Sequence, residues 1–191
     1  QVMEIDMKGF VDKNNVETSF RHMIKRHDML RTFFTINIHD NPLQIIKKTV
    51  DFTIDYKDLS GKTEEEKELF LKEYRNLNRQ KSFDLVKDML FRIALVRLSH
   101  DTYKILWSYH HNLTARWCLG ILFKEFVLYY QAGKNGDVPS LLPPSPYKEY
   151  ILWLRKIKRD SELKFWNEYL KGYSQPVTIP GKIPGVNGDS Y

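Results

Sequence analysis

The chain has 191 residues, 42% of them hydrophobic and 14% aromatic, with a net charge of +6 from 30 Lys+Arg against 24 Asp+Glu. That length and apolar content suit one well-buried domain and exclude a disordered or collagen-like chain. The densest basic run, Arg155-Lys156-Ile157-Lys158-Arg159, reads as a solvated helix face rather than a nucleic-acid contact. Cys118 is the only cysteine, so no intrachain disulfide is possible and a reducing compartment is expected. No run nears the roughly 20 apolar residues of a membrane span, and the N-terminus has no signal-peptide pattern. The expectation is a soluble, cytoplasmic chain without a nucleic-acid or membrane partner; its first residue is not Met, which suggests a fragment.

Residues 2–8 alternate weakly and read as an edge strand. Asp12 or Asn14 caps a helix with Val16, Phe20, Met23, Ile24 and His27 on its apolar face. Leu30 to Ile38 reads as a strand, and Leu43 to Lys47 pairs back on it after a turn at His39-Asp40-Asn41-Pro42. Thr63-Glu64-Glu65-Glu66 is a capping box for a helix reaching about Gln80, with Leu69, Phe70, Tyr74 and Leu77 on its buried side. Leu90–Leu98 and Tyr103–His110 are apolar strands at the centre of a sheet. Trp117–Gln131 is an apolar helix ending near Gly133. Tyr147–Leu170 is helical, broken near Arg159-Asp160-Ser161, with Gly172 as the stop. The mixture predicts an α/β sandwich, helices packed on a mixed sheet.

The stretch Tyr109-His110-His111-Asn112-Leu113-Thr114-Ala115-Arg116-Trp117-Cys118 carries the most chemistry. It runs from an apolar strand through a loop into a helix, a common place to hold a general base. On a strand, neighbouring side chains face opposite ways, so His110 and His111 have different jobs if the strand lasts that far: one faces inward and the other a cleft. Three other readings stand beside that one. Both histidines can be purely structural. A metal site is disfavoured because a tandem pair lacks the i, i+4 spacing that puts two ligands on one helix face. Cys118 can be a nucleophile activated by His111, or simply a buried cysteine.

Arg26-His27-Asp28-Met29-Leu30-Arg31-Thr32-Phe33-Phe34, then Phe83-Asp84-Leu85 with Met89-Leu90-Phe91-Arg92, then His110 to Cys118, then Tyr147-Lys148-Glu149-Tyr150-Ile151-Leu152-Trp153 are four stretches that resemble, in that order, motifs of the condensation domains of nonribosomal peptide synthetases. The resemblance implies a chloramphenicol-acetyltransferase-like sandwich, of which this chain is one lobe of two. Residues 1–172 would be the N-terminal lobe and residues 173–191 an extended Pro/Gly-containing interlobe linker.

The same resemblance implies an amide-forming acyltransferase. A donor acyl or peptidyl thioester and an acceptor aminoacyl thioester, each on the phosphopantetheine arm of a peptidyl carrier protein, are joined. His111 matches the histidine associated with catalysis, as general base or by positioning the amine and stabilising charge. His110 and Arg31 are supporting residues, with an exposed structural arginine an equal account of Arg31; Trp117 and Tyr150 are core or loop-packing residues. No cofactor or metal of its own is expected. The implied partners are donor and acceptor carrier proteins, the C-terminal lobe and a neighbouring adenylation domain. The chain departs from the motif where the family has Asp and Gly: Ala115 and Arg116 stand there. Ala accepts no hydrogen bond, and Arg is strained wherever glycine is needed for positive φ. With one lobe and a degenerate motif, the isolated chain is expected to be inactive. Two other functions remain: an acyl-CoA-dependent transferase of the same fold, or a non-catalytic remnant that docks a carrier.

Overall fold

The structure, a computed structural model, describes residues 1–36, 42–113, 116–157 and 159–174, without the side chains of Ile36, Arg116 and Trp117. Its strands are β1 (Val2–Lys8), β2 (Thr32–Ile36), β3 (Pro42–Ile46), β4 (Asp55–Asp58), β5 (Phe91–Arg97) and β6 (Thr102–Tyr109). Its α-helices are α1 (Lys13–Arg26), α2 (Glu64–Gln80), α3 (Arg116–Gly133), α4 (Tyr147–Lys156) and α5 (Asp160–Tyr169). They form two compact units, Gln1–Tyr147 and Lys148–Tyr191.

The first unit is built on a four-stranded mixed sheet in the order β1-β6-β5-β4. β5 and β6 form an antiparallel pair at its centre, with Phe91 opposite Tyr109 and Leu95 opposite Ile105. β1 is the expected edge strand, antiparallel to β6 with Ile5 opposite Ile105. β4 runs parallel to β5 at the other edge. The period-2 alternation of β5 and β6 sends side chains to two separate cores. On one face Phe91, Ile93, Leu95, Tyr103, Ile105, Trp107 and Tyr109 join Phe20 and Met23 of α1 and Phe126 of α3. Phe20 is the hub, edge-on to Trp107 at 5.0 Å and stacked on Phe126 at 4.8 Å. On the other face Ala94, Val96 and Leu106 are covered by Leu71, Phe70 and Tyr74 of α2.

Local chemistry explains the helix starts. Asp12 accepts from the Asn14 amide at 2.9 Å and caps α1. The Thr63 hydroxyl and the Glu66 carboxylate close the expected capping box of α2, satisfying two amides that have no carbonyl a turn earlier. β1 is turned by Gly9 at φ +88°, a conformation glycine alone adopts freely.

Several expectations need correction. Leu30 lies in a 3-10 turn, Asp28–Arg31, and the strand starts only at Thr32; residues 37–41, with the expected turn, lie outside the described residues. The hairpin forms, but β2 and β3 make a separate two-stranded sheet. Leu69 and Leu77 are exposed. At about 100° per residue, Lys67, Leu71, Tyr74 and Asn78 define the inward face, with Leu69 opposite and Leu77 past its border. β4 was not anticipated at all.

The second unit holds α4 from Lys148 and all of α5, the break falling where expected, with Gly172 at φ +86° after α5. Neither helix has a buried residue. Tyr150 stacks on Trp153 at 5.8 Å and is exposed, not a core residue. Of the expected linker, residues 175–191 lie outside the described residues. No helix among the described residues is long and apolar enough to cross a membrane.

Candidate functional site

β6 ends at Tyr109, and residues 111–113 form a turn. Strand alternation therefore stops before His111, and the turn sets the two rings apart. The ladder is extended by one bond, from the His110 amide to the Leu90 carbonyl at 2.8 Å. The chain then reverses, with the Leu113 amide donating to the His110 carbonyl at 3.0 Å. Buried Leu113 anchors the far side of the turn in the core.

His110 is held on three sides. Its backbone is fixed as above, and its ring meets the Phe83 ring edge-on at 6.1 Å. Its Nδ1 accepts the Asn112 amide at 3.1 Å. A backbone amide can only donate, so the neutral ring carries its proton on Nε2. His111 is exposed, and among the described residues its ring has no hydrogen-bond partner. The pair is thus one fixed imidazole and one free imidazole.

Both line a cavity of about 750 Å³ in the first unit, closed by the start of β1, the C-terminal half of α2 and residues 81–83. Phe83 is placed there by Arg92. The Arg92 guanidinium lies 3.9 Å from the Phe83 ring centroid and donates to the Lys81 and Ser82 carbonyls at 3.3 and 3.2 Å. Asp84 caps the next turn, accepting from the Val86 amide at 2.9 Å. The second motif stretch therefore backs the third: its arginine on β5 fixes the aromatic ring against His110.

Among the described residues that line the cavity one is acidic, Glu4. Arg75 of α2 engages it through Nε at 2.5 Å and Nη2 at 3.1 Å, and Lys104 adds Nζ at 3.4 Å. The hydrogen bond from Arg75 is the main cause that holds the Glu4 carboxyl below the usual carboxylate range, against the opposing effect of burial. Arg75, Asn78 and Arg79 also line the cavity. They were not singled out from the sequence, although their spacings of three and four residues put them on one side of a helix.

Arg31 sits elsewhere. It pairs with Asp28 and donates to the Lys47 carbonyl at 2.6 Å, beside the β2–β3 hairpin. It does not line the histidine cavity. His27, expected on the apolar face of α1, instead caps its C-terminus and contacts Glu125 of α3 at 2.6 Å, which Arg26 also engages at 3.0 Å. Cys118 is exposed rather than buried. Ala115 lies outside the described residues; Arg116 begins α3, its side chain likewise outside them.

The family model of the condensation domain matches residues 1–191. Bacitracin synthase 3 of Bacillus licheniformis is 36% identical over 178 residues, 92% of this chain and 3% of that protein. Tyrocidine synthase 2 of Brevibacillus parabrevis is 34% identical over 180 residues, 94% of this chain and 5% of that protein. The chain thus spans a small fraction of the curated relatives it matches. Among solved structures, the starter condensation domain of rhizomide synthetase is similar with a TM-score of 0.81 at 17% identity, over 92% of this chain and 43% of that one. The X-domain, solved as a complex with OxyB from teicoplanin biosynthesis, is similar with a TM-score of 0.79 at 22% identity, over 94% of this chain and 40% of that one. These likenesses bear out the expected α/β sandwich with its mixed sheet, and the chain covers less than half of either solved chain.

Proposed function

The chain belongs to the condensation-domain family of nonribosomal peptide synthetases, and from that premise we propose that it is the N-terminal lobe of such a domain and supplies the histidine half of an amide-forming active site. The observation that supports this reading is the division of labour in the pair: His110 held in the loop, His111 exposed on the cavity and, among the described residues, without a hydrogen-bond partner. A free imidazole can meet an incoming amine without first breaking a bond to the protein.

In the proposed reaction the acceptor amine attacks the carbonyl carbon of the donor thioester. A C–N bond forms, the C–S bond breaks, the amine proton passes by way of His111, and the departing thiolate ends protonated. His111 acts as general base, or holds the amine and stabilises charge at the tetrahedral stage. Both substrates arrive on phosphopantetheine arms of carrier proteins, in the cytoplasm, with an adenylation domain as neighbour. Arg31 supports the lobe away from the cavity, through Asp28 and the hairpin. The C-terminal lobe completes the site, residues 173–191 lead to it, and the isolated chain does not turn over.

The test is a mass-spectrometric condensation assay on this chain joined to a C-terminal lobe, with loaded donor and acceptor carriers. We expect amide from the two-lobe protein, none above background from the chain alone, and a loss of about 10²–10⁴-fold in the two-lobe His111→Ala variant. The departures Ala115 and Arg116 favour one other reading, a lobe retained for docking, and a protein of this fold is known in complex with a partner, OxyB. Carrier binding without amide formation by the two-lobe protein would replace the catalytic reading with that one.

A further inference from the structure

The cavity beside the histidine pair has an unbalanced charge. Its lining includes Glu4, Arg75, Arg79 and Lys81 besides the two histidines. Glu4 is already engaged, bidentate, by Arg75 and again by Lys104. Those contacts use up the cavity's one carboxylate and Arg75 with it. Arg79 and Lys81 are left over: among the described residues neither side chain has an ion-pair or hydrogen-bond partner. α2 ends at Gln80, so these two cations sit at a helix C-terminus, where positive charge is stabilised by the helix dipole. Position alone therefore accounts for basic residues here. It does not account for both lining a 750 Å³ cavity whose one acidic residue, among the described residues, is already paired. A cavity of this size fits a chain-like organic ligand. A guanidinium fork and an ammonium together suit an oxyanion, phosphate or carboxylate.

We propose that Arg79 and Lys81 form an oxyanion-recognition site for the thioester substrate that reaches His111. The inference rests on the proposed reaction for the nature of the ligand, and on the charge inventory for the site. Two parts of such a substrate carry an oxyanion: the phosphate of its pantetheine arm, or an acidic side chain in the group it carries. Either would be drawn to the two unpaired cations and held there while the thioester reaches the histidines.

The experiment is calorimetric titration of the 191-residue chain with matched probes. One pair is 4′-phosphopantetheine against pantetheine; the other is the glutamyl against the glutaminyl thioester of pantetheine. We expect the anionic member of one pair to bind about ten-fold more tightly, the size of a charge-assisted contact. That preference should vanish in R79Q/K81Q and persist in the charge-keeping R79K/K81R. It should persist too in K25Q/K124Q, which removes two exposed cations from elsewhere on the surface. A preference confined to the first pair assigns the site to the arm; one confined to the second assigns it to acidic cargo. No preference in either pair overturns the proposal. So does a preference that R79Q/K81Q leaves intact, or one that K25Q/K124Q abolishes equally. Arg79 and Lys81 are exposed, and an unchanged urea midpoint confirms that the variants fold. Amide formation by the two-lobe protein is scored separately: if it proceeds while the chain shows no anion preference, only this inference fails.

Discussion

Gly133 closes α3 against the side chain of Asn15. A Cβ there would lie 2.1 Å from Asn15 Oδ1 and 3.0 Å from its Cγ. Asn15 cannot simply swing away, because its Nδ2 donates to the Tyr130 carbonyl at 2.9 Å and so ties α1 to α3. Gly133→Ala improves helix propensity by nearly 1 kcal/mol, but the clash and the strained hydrogen bond together cost more. We expect a net loss of about 1–2 kcal/mol by urea unfolding. The double variant Asn15→Ala/Gly133→Ala removes the obstacle, so its loss should fall below the sum of the two single losses. Strict additivity would refute the packing account. The same scale explains how the histidine pair was only half legible. Adjacent histidines after an apolar strand point to a candidate site and to unequal surroundings for the two rings. The reason for the inequality is a turn, whose hydrogen bond from Asn112 to His110 depends on loop geometry that the residue order does not fix.

Between elements, the tie from β1 to α2 runs through Glu4 and Arg75. Glu4 is 27% exposed and Arg75 35%, so this pair is worth about 1 kcal/mol at most. Its pH dependence has a definite sign. The Glu4 carboxyl is held below its ordinary value in the folded chain. Its contribution is therefore fully present above the unfolded carboxyl pKa of about 4.3, and is lost as pH falls through the lower folded value. Urea unfolding of Glu4→Gln against the parent should show a constant deficit from pH 7 to 5 that shrinks below about pH 4. A deficit undiminished at pH 2 would mean packing, not charge. Elements with a local signal were legible from the sequence: α1 from the Asp12 cap and Val16-Phe20-Met23 spacing, α2 from its capping box, β5 and β6 from their apolar runs. β4 was not, because Asp55-Tyr56-Lys57-Asp58 is exposed along its length and becomes a strand only by pairing with β5. Leu69 and Leu77 lie outside the buried side of α2, which the apolar residue types of that helix do not mark out by themselves. Its inner face is set by what the sheet presents, and the aliphatic stem of Lys67 fills a place there.

At the scale of the molecule, full apolar burial among the described residues is confined to one unit. Every buried hydrophobic side chain among the described residues, from Val11 to Tyr130, lies before Lys148. α4 and α5 contribute none, and leave Trp153, Phe165, Trp166 and Tyr169 more than half exposed. Cooperative unfolding follows buried apolar area, and the slope of unfolding free energy against urea scales with the surface exposed. A chain ending at Tyr147 should therefore fold alone, with a single urea transition whose midpoint and slope match those of the 191-residue chain, to within about 1 kcal/mol. Near-ultraviolet circular dichroism should keep the signal of Trp107, which sits in the core against Phe20, and lose only the contribution of the exposed tryptophans. A truncated chain with no cooperative transition would show that residues 148–191 complete the core. If the transition is kept, the histidine turn, Phe83 and the cavity form a self-sufficient scaffold. The carriers and the C-terminal lobe would then meet a site already organised before they arrive.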